Sequence, residues 1–369
     1  MLTALTLLSL LAQEPEADPF PGRHGEDFEK SHWIRQEQFD QIHGYLQSLV
    51  SESHEKRAAF FTPDFTSEAA YEKSLQPFRE ALCVQIGYPP PKPVEDAEPR
   101  YEMVVADEYA TIYRMWLEVL EGVELYAVLS IPHGLEGPAP LLICQHGGGG
   151  SPEVIHPFTG NTGQGVFNYG WMVQRALREG YVTWAPGLLF RLAGTEEIEG
   201  PDRIPLDKQL RHVGTSILAV ELWKIRRGLD EVLKRPEVDP ERVGMMGLSY
   251  GGLYTQYAVA LDPRIKVAVS SCYFNDRTRY SRDDWSFMDY LNRFTDPEIC
   301  ALICPRGLMI EVGIQDELFE VDGAREEAPK ARAYWDKLGI ADRFAFVEFD
   351  GGHEFDGATA FEFAARFLK

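Results

Sequence analysis

Apolar residues along this chain follow one spacing near its N-terminus and another beyond it. Between residues 31 and 85 they recur at helical intervals, as at Phe39, Ile42, Tyr45, Leu46 and Val50, which predicts helix. Residues 88–99 hold Pro89, Pro90, Pro91 and Pro93, a run that no helix interior can carry, so this stretch reads as an extended connector. From Tyr101 the spacing shortens. Tyr101, Met103 and Val105, then Ala110, Ile112 and Tyr113, then Val123, Leu125, Ala127 and Leu129 predict short strands entering a sheet antiparallel. Farther on, apolar runs at 141–144, 181–185, 242–246, 265–270, 307–312 and 343–349 alternate with helical stretches at 217–233, 249–261, 323–338 and 355–368. Strands that alternate with helices need crossover connections, and these give a mostly parallel sheet covered on both faces. The predicted class is α/β, a mostly parallel central sheet flanked by helices, with an added N-terminal helical segment.

Three parts follow from this pattern. Residues 1–30 are a signal-like segment and linker, 31–100 a helical extension, and 101–369 the main α/β domain. The apolar run at 2–12 is too short to span a bilayer. It resembles the core of a secretory signal, with cleavage after Ala12, although no Lys or Arg precedes it. The expectation is a secreted or periplasmic protein, with a cytoplasmic one as the alternative, and no stable membrane span in the mature chain.

Composition narrows the function by exclusion. With 44% hydrophobic and 25% charged residues the chain can bury a large core. Lys plus Arg number 36 against 58 Asp plus Glu, a formal net charge of −22. That balance argues against a nucleic-acid partner, which needs a basic footprint on phosphate, and against docking on an anionic membrane. Five cysteines at 83, 144, 272, 300 and 304 cannot all pair, lack zinc-like spacing with His, and read as small buried hydrophobes. No metal is expected.

The candidate chemistry centres on Gly247-Leu248-Ser249-Tyr250-Gly251-Gly252, which fits G-x-S-x-G. An apolar strand precedes it and a helical stretch follows, the context of a nucleophile elbow. In that turn the serine oxygen is exposed at the carboxyl end of the sheet, and glycines on either side allow strand and helix to approach. The competing reading is a helix-capping serine in a Gly-rich turn. A serine needs a base, and His353 is the one histidine after it in the chain. The base needs a carboxylate to fix its tautomer. Asp316, just beyond the strand at 307–312, is the first choice; Glu311, Asp322 and Asp350 rank below it. The chain order Ser, Asp, His is the α/β-hydrolase order. His146-Gly147-Gly148-Gly149-Gly150 follows the strand ending at Cys144 and occupies the place of an oxyanion loop, with His146 itself structural. Gly148, Gly149 and the N–H of Tyr250 are the expected oxyanion donors. A phosphate cradle is excluded because no Lys-Ser/Thr follows the glycines. Insertions at 186–212 and 273–300 carry aromatics with Arg191, Arg277 and Trp285, candidate substrate-binding residues for a sugar or a carboxylated substrate.

With these residues in place the sequence resembles the α/β-hydrolase superfamily, and within it the dienelactone hydrolase and acetyl-xylan-esterase-like branch. The stretches LLICQHGGGG, DPERVGMMGLSYGGLYTQYAVALDPRIKVAVSSCYF, GLMIEVGIQDELFE and FDGGHEF carry the resemblance. It implies the α/β-hydrolase fold, a Ser249-His353-Asp316 triad, an acyl-enzyme, and no cofactor. Dienelactone hydrolases commonly use Cys where this chain has Ser249, which favours simple ester hydrolysis. GLSYGG also resembles serine peptidases of the prolyl oligopeptidase type, which carry a large propeller that 369 residues cannot hold. The expected function is a serine esterase acting on a small-molecule or carbohydrate ester, with a short acyl group. The alternatives are a serine peptidase and a non-catalytic binding protein on a hydrolase scaffold.

Overall fold

The structure, a computed structural model, describes residues 20–158, 167–190 and 203–369. It divides into two compact units, 1–52 and 53–369. In the first, Asp27 caps a short 3-10 turn by accepting from Glu29 N–H, and helix α1 (His32–Phe60) follows. Phe39, Ile42, Tyr45 and Leu46 are exposed along that helix. The signal-like run at 2–12 lies outside the described residues, and no helix among those described is long and apolar enough to cross a membrane.

The second unit is built on a nine-stranded sheet of order β1-β2-β3-β5-β4-β6-β7-β8-β9. Strands β1 (Arg100–Ala106), β2 (Ala110–Leu120) and β3 (Val123–Pro132) form the antiparallel entry, and β3 pairs antiparallel with β5 (Val182–Pro186). From β5 through β4 (Ala139–Gln145), β6 (Val238–Leu248), β7 (Ile265–Ser271), β8 (Gly307–Gly313) and β9 (Phe344–Phe349) every pairing is parallel. All carboxyl ends of these strands therefore meet one edge of the sheet, where crossover loops leave it.

Strand alternation sends successive side chains to opposite faces, and both faces are covered. On β4, Leu141 and Ile143 join one core layer, while Leu142 and Cys144 join the other. The first layer is completed by α2 (Glu68–Ser74), α3 (Gln76–Ile86), α7 (Ile217–Val232), α8 (Tyr250–Leu261), α10 (Asp296–Ile303) and α11 (Val321–Leu338). The second is completed by α5 (Met172–Arg178) and α12 (Ala360–Leu368). Three further helices, α4 (Pro152–Ile155), α6 (Arg203–His212) and α9 (Tyr290–Arg293), lie in the crossovers. Residues 53–99 belong to this unit. Tyr71 Oη donates to Ala301 O, and Arg79 donates to Ala260 O and Leu302 O, which ties α2 and α3 to the ends of α8 and α10. The last helix starts later than the residue 355 read from periodicity. Residues 353–357 form a loop, and Gly357 has φ +59°, left of any helix.

Candidate active site

Strand β6 ends at Leu248, and α8 begins at Tyr250, so one residue makes the whole turn. That residue is Ser249, with φ 60° and ψ −120°. A non-glycine residue with these angles is strained and persists only where its surroundings over-determine it. They do so through glycine. A Cβ on Gly251 would strike the backbone oxygen of Gln145, and one on Gly247 would strike the carbonyl of Gly251. Ser249 N–H donates to Ser271 O at the end of β7, at 2.8 Å. The hydroxyl makes no capping bond to its own helix. The helix-capping reading of this serine is thereby set aside.

Three residues past β8 and four past β9, Asp316 and His353 come together. His353 Nδ1 lies 2.8 Å from Asp316 Oδ2. The other carboxylate oxygen, Oδ1, accepts from Leu318 N–H at 2.8 Å and Phe319 N–H at 3.0 Å. Burial pushes the Asp316 carboxyl up, but the His353 hydrogen bond and charge and the two N–H groups outweigh it and hold the pKa below the usual carboxylate range. An ionised Asp316 accepts from Nδ1–H, which leaves Nε2 as the basic nitrogen. The Phe319 ring stacks on the imidazole, centroids 5.5 Å apart and 8° from parallel, and so fixes its plane. Cys272, the residue after Ser271, brings its sulfur within 4.8 Å of the ligating atoms of Asp316 and His353. Burial and the Asp316 charge push its thiol up to about 12. Asp322 and Asp350, the weaker acid candidates, are engaged with Arg325 and Gln315 respectively.

The loop carrying His353 is held from behind by residues with no motif. Arg175 on α5 donates to Asp356 O at 2.8 Å and also reaches Gly357 O and Gly170 O. Phe355 N–H donates to Asn168 O at 2.7 Å. Glu311, inside β8, accepts from Gly357 N–H at 3.1 Å and is 1% exposed, with no cation partner among the described residues. Burial is the main cause that raises its pKa, to about 7. The folded protein therefore keeps this proton between the ordinary 4.5 and about 7, where the unfolded chain gives it up. Stability falls as pH rises through that window, and the penalty is complete above it. Glu311→Gln should raise unfolding stability at pH 8 by roughly 2 to 4 kcal/mol and leave it unchanged at pH 4. Urea titrations of both proteins at the two pH values test this; equal shifts would refute a buried, proton-holding Glu311.

The glycine loop after β4 sits against the elbow. A Cβ on Gly147 would lie 2.7 Å from Leu248 O and 3.1 Å from Ser249 Cβ. His146 is fully buried. Its Nδ1–H donates to Gly147 O, and its Nε2 accepts from Leu188 N–H at 2.9 Å, which pins the loop to the chain leaving β5. Burial drives its pKa down to about 4, so it is neutral and structural. Gly147 N–H donates to Tyr169 Oη at 2.8 Å, a role for Tyr169 that the sequence did not signal. The N–H groups of Gly148, Gly149 and Tyr250 have no protein acceptor among the described residues. Gly148 packs on the Tyr250 ring, a hypothetical Cβ lying 3.3 Å from it.

Of the three substrate-binding candidates, Arg191 lies outside the described residues. Arg277 is buried and bidentate to Asp296, at 2.6 and 2.7 Å, and also donates to Tyr273 O. Its guanidinium is enclosed by the fold, which corrects the expectation that it faces a substrate. Trp285 is buried in a run of rings, Tyr250, Trp285, Tyr280 and Phe319, that reaches from the elbow to His353.

The strand order, the one-residue elbow and the Ser-Asp-His chain order are those of the α/β-hydrolase fold. The prolyl oligopeptidase family model matches residues 222–299, a segment that holds Ser249 but neither Asp316 nor His353. YtaP of Bacillus subtilis (strain 168), assigned as a hydrolase, is 26% identical over 247 residues, 64% of this chain and 80% of its own length. Among solved structures, a glucuronoyl esterase from Solibacter usitatus is similar at 17% identity and TM-score 0.61, covering 82% of this chain and 94% of its own. Methylesterase BT1017 is similar at 17% and 0.63, with 86% and 70% covered. Acetyl xylan esterase 1 from Thermoanaerobacterium sp. is similar at 18% and 0.51, with 80% and 99% covered. At these identities the structural likeness is one of fold.

Proposed function

We propose that this protein is a serine esterase acting on a small-molecule or carbohydrate ester with a short acyl group, with Ser249 as nucleophile, His353 as base and Asp316 as its orienting acid. The observation that carries the proposal is the Asp316–His353 pair at the sheet edge that also presents the strained Ser249. Ser249 Oγ attacks the ester carbonyl carbon as its proton passes to His353 Nε2. The oxyanion is met by N–H groups of Tyr250 and of Gly148 or Gly149. When the intermediate collapses, the bond to the leaving alkoxide breaks, and His353 returns the proton to it. Water, deprotonated by His353, then cleaves the acyl-enzyme. The similar structures are acetyl xylan, glucuronoyl and methyl esterases, and this supports an ester on a carbohydrate. The apolar run at 2–12 supports export of the enzyme to where such polymers lie.

A p-nitrophenyl ester series from acetate to laurate tests the reading. Turnover should be highest at acetate and fall with chain length, and a fluorophosphonate should label Ser249. The prolyl oligopeptidase match keeps a peptidase as the second reading. Cleavage of p-nitroanilide peptides with no ester preference would favour it, and failure to label Ser249 would favour a binding protein on this scaffold.

A further inference from the structure

Around the site nearly every arginine is matched to an acid. Arg203 faces Asp284 at 2.7 Å, Arg211 faces Asp207 at 2.7 Å, Arg277 faces Asp296 at 2.6 Å and Arg279 faces Glu326 at 2.5 Å. Arg282 is matched to none: it is exposed and has no carboxylate partner among the described residues, whereas Arg175, which also lacks one, is satisfied by three backbone carbonyls. Its neighbours Asp283 and Asp284 are engaged elsewhere, with Lys208 at 3.0 Å and with Arg203. The guanidinium lies 5.7 Å from the centroid of the Trp285 ring and 3.4 Å from Tyr280 Oη, and the Trp285 ring packs on that of Tyr250, centroids 4.9 Å apart. Tyr250 follows Ser249, and its ring packs on Gly148 of the oxyanion loop and on Phe190. Trp285 also carries a buried indole N–H with no protein acceptor among the described residues.

We infer that Arg282 is a specificity residue that receives a free carboxylate on the substrate, so that the preferred ester is anionic. This rests on the esterase reading above and names its substrate class. An arginine's planar fork can grip a carboxylate through two parallel N–H bonds. The chain as a whole carries −22 and repels anions at long range. A cation with no acid partner, at the edge of the rings that lead to the elbow, reverses that preference locally.

Ester pairs of matched size separate charge from shape. On the acyl side, p-nitrophenyl hemiglutarate is set against p-nitrophenyl valerate. On the alcohol side, the acetate ester of 4-hydroxybenzoate is set against that of 4-hydroxybenzamide. Rates in Ser249→Ala are subtracted, because a free carboxylate can attack its own ester. The wild-type enzyme should favour the charged member of at least one pair by about tenfold in kcat/KM, the scale of one charge-assisted hydrogen bond. Arg282→Gln should erase that ratio through KM, and Arg282→Lys should keep part of it. A ratio near one in both pairs, or a preference that survives Arg282→Gln, overturns the assignment and leaves the esterase reading standing. Absence of any Ser249-dependent turnover, including of the neutral esters, overturns both.

Discussion

Ser249→Ala should lower kcat for p-nitrophenyl acetate by about a millionfold, the scale seen when a triad nucleophile is removed from a serine hydrolase. The fold should survive the change. Alanine keeps the Cβ that the backbone already accommodates at φ 60°, and the lost hydroxyl makes no capping bond that the helix would miss. Ser249 N–H still donates to Ser271 O. The thermal midpoint should therefore stay within the range of an ordinary surface substitution, about half a kcal/mol. Steady-state rates, fluorophosphonate labelling and a melting curve on the same preparation separate the two effects. Residual turnover within tenfold of wild type would remove Ser249 from the nucleophile's role; a collapsed melting curve would show that its hydroxyl holds the turn.

Asp316→Asn should lower kcat by about ten-thousandfold through the tautomer of His353. The asparagine oxygen can still accept from Leu318 and Phe319 N–H, so the loop keeps its shape. Its amide then presents a donor to His353 Nδ1, where the carboxylate presented an acceptor 2.8 Å away. The imidazole must turn its lone pair to Nδ1 and carry its proton on Nε2, where it cannot take one from serine. Stability shifts as well. Asp316 is held below its ordinary value of 3.8, so the carboxylate's contribution is present above that pH and lost as pH falls through the lower folded value. The wild-type advantage over Asp316→Asn in denaturant titrations should thus be present at pH 7 and shrink below pH 3.8. An unchanged kcat at pH 7 would move the orienting role to another acid.

What the chain discloses of itself depends on how local the physics is. The parallel strands were legible because both their faces are buried and they read as short apolar runs, and the elbow because two glycines and a serine have a single geometric use. The full length of β2, Ala110–Leu120, was not legible beyond Tyr113, because Arg114 and Glu118 interrupt its alternation. The late start of α12 was hidden for a different reason. Residues 355–359 follow the period of a helix, but Arg175, far away in sequence, draws the carbonyls of Asp356 and Gly357 into a loop. Arg277 misled because an arginine among aromatics looks the same in sequence whether it faces a ligand or Asp296. Tyr169, Phe319 and Arg282 act through contacts across the fold, and no short motif announces such partners.

The grip of Arg175 on the His353 loop limits how this scaffold can be recombined. The segment from β4 to β5 carries the glycines proposed as the oxyanion loop, Tyr169 and α5, and a protein engineer would treat it as an exchangeable module for new acyl specificity. Yet that module also supplies the clamp on the loop of the proposed base His353, whose gripped carbonyls lie 181 and 182 residues downstream of Arg175. A chimera that imports a foreign segment without an arginine at the equivalent place inherits a donor's oxyanion loop and a slackened base. Acyl preference and catalytic rate would then change together, although no triad residue had been touched.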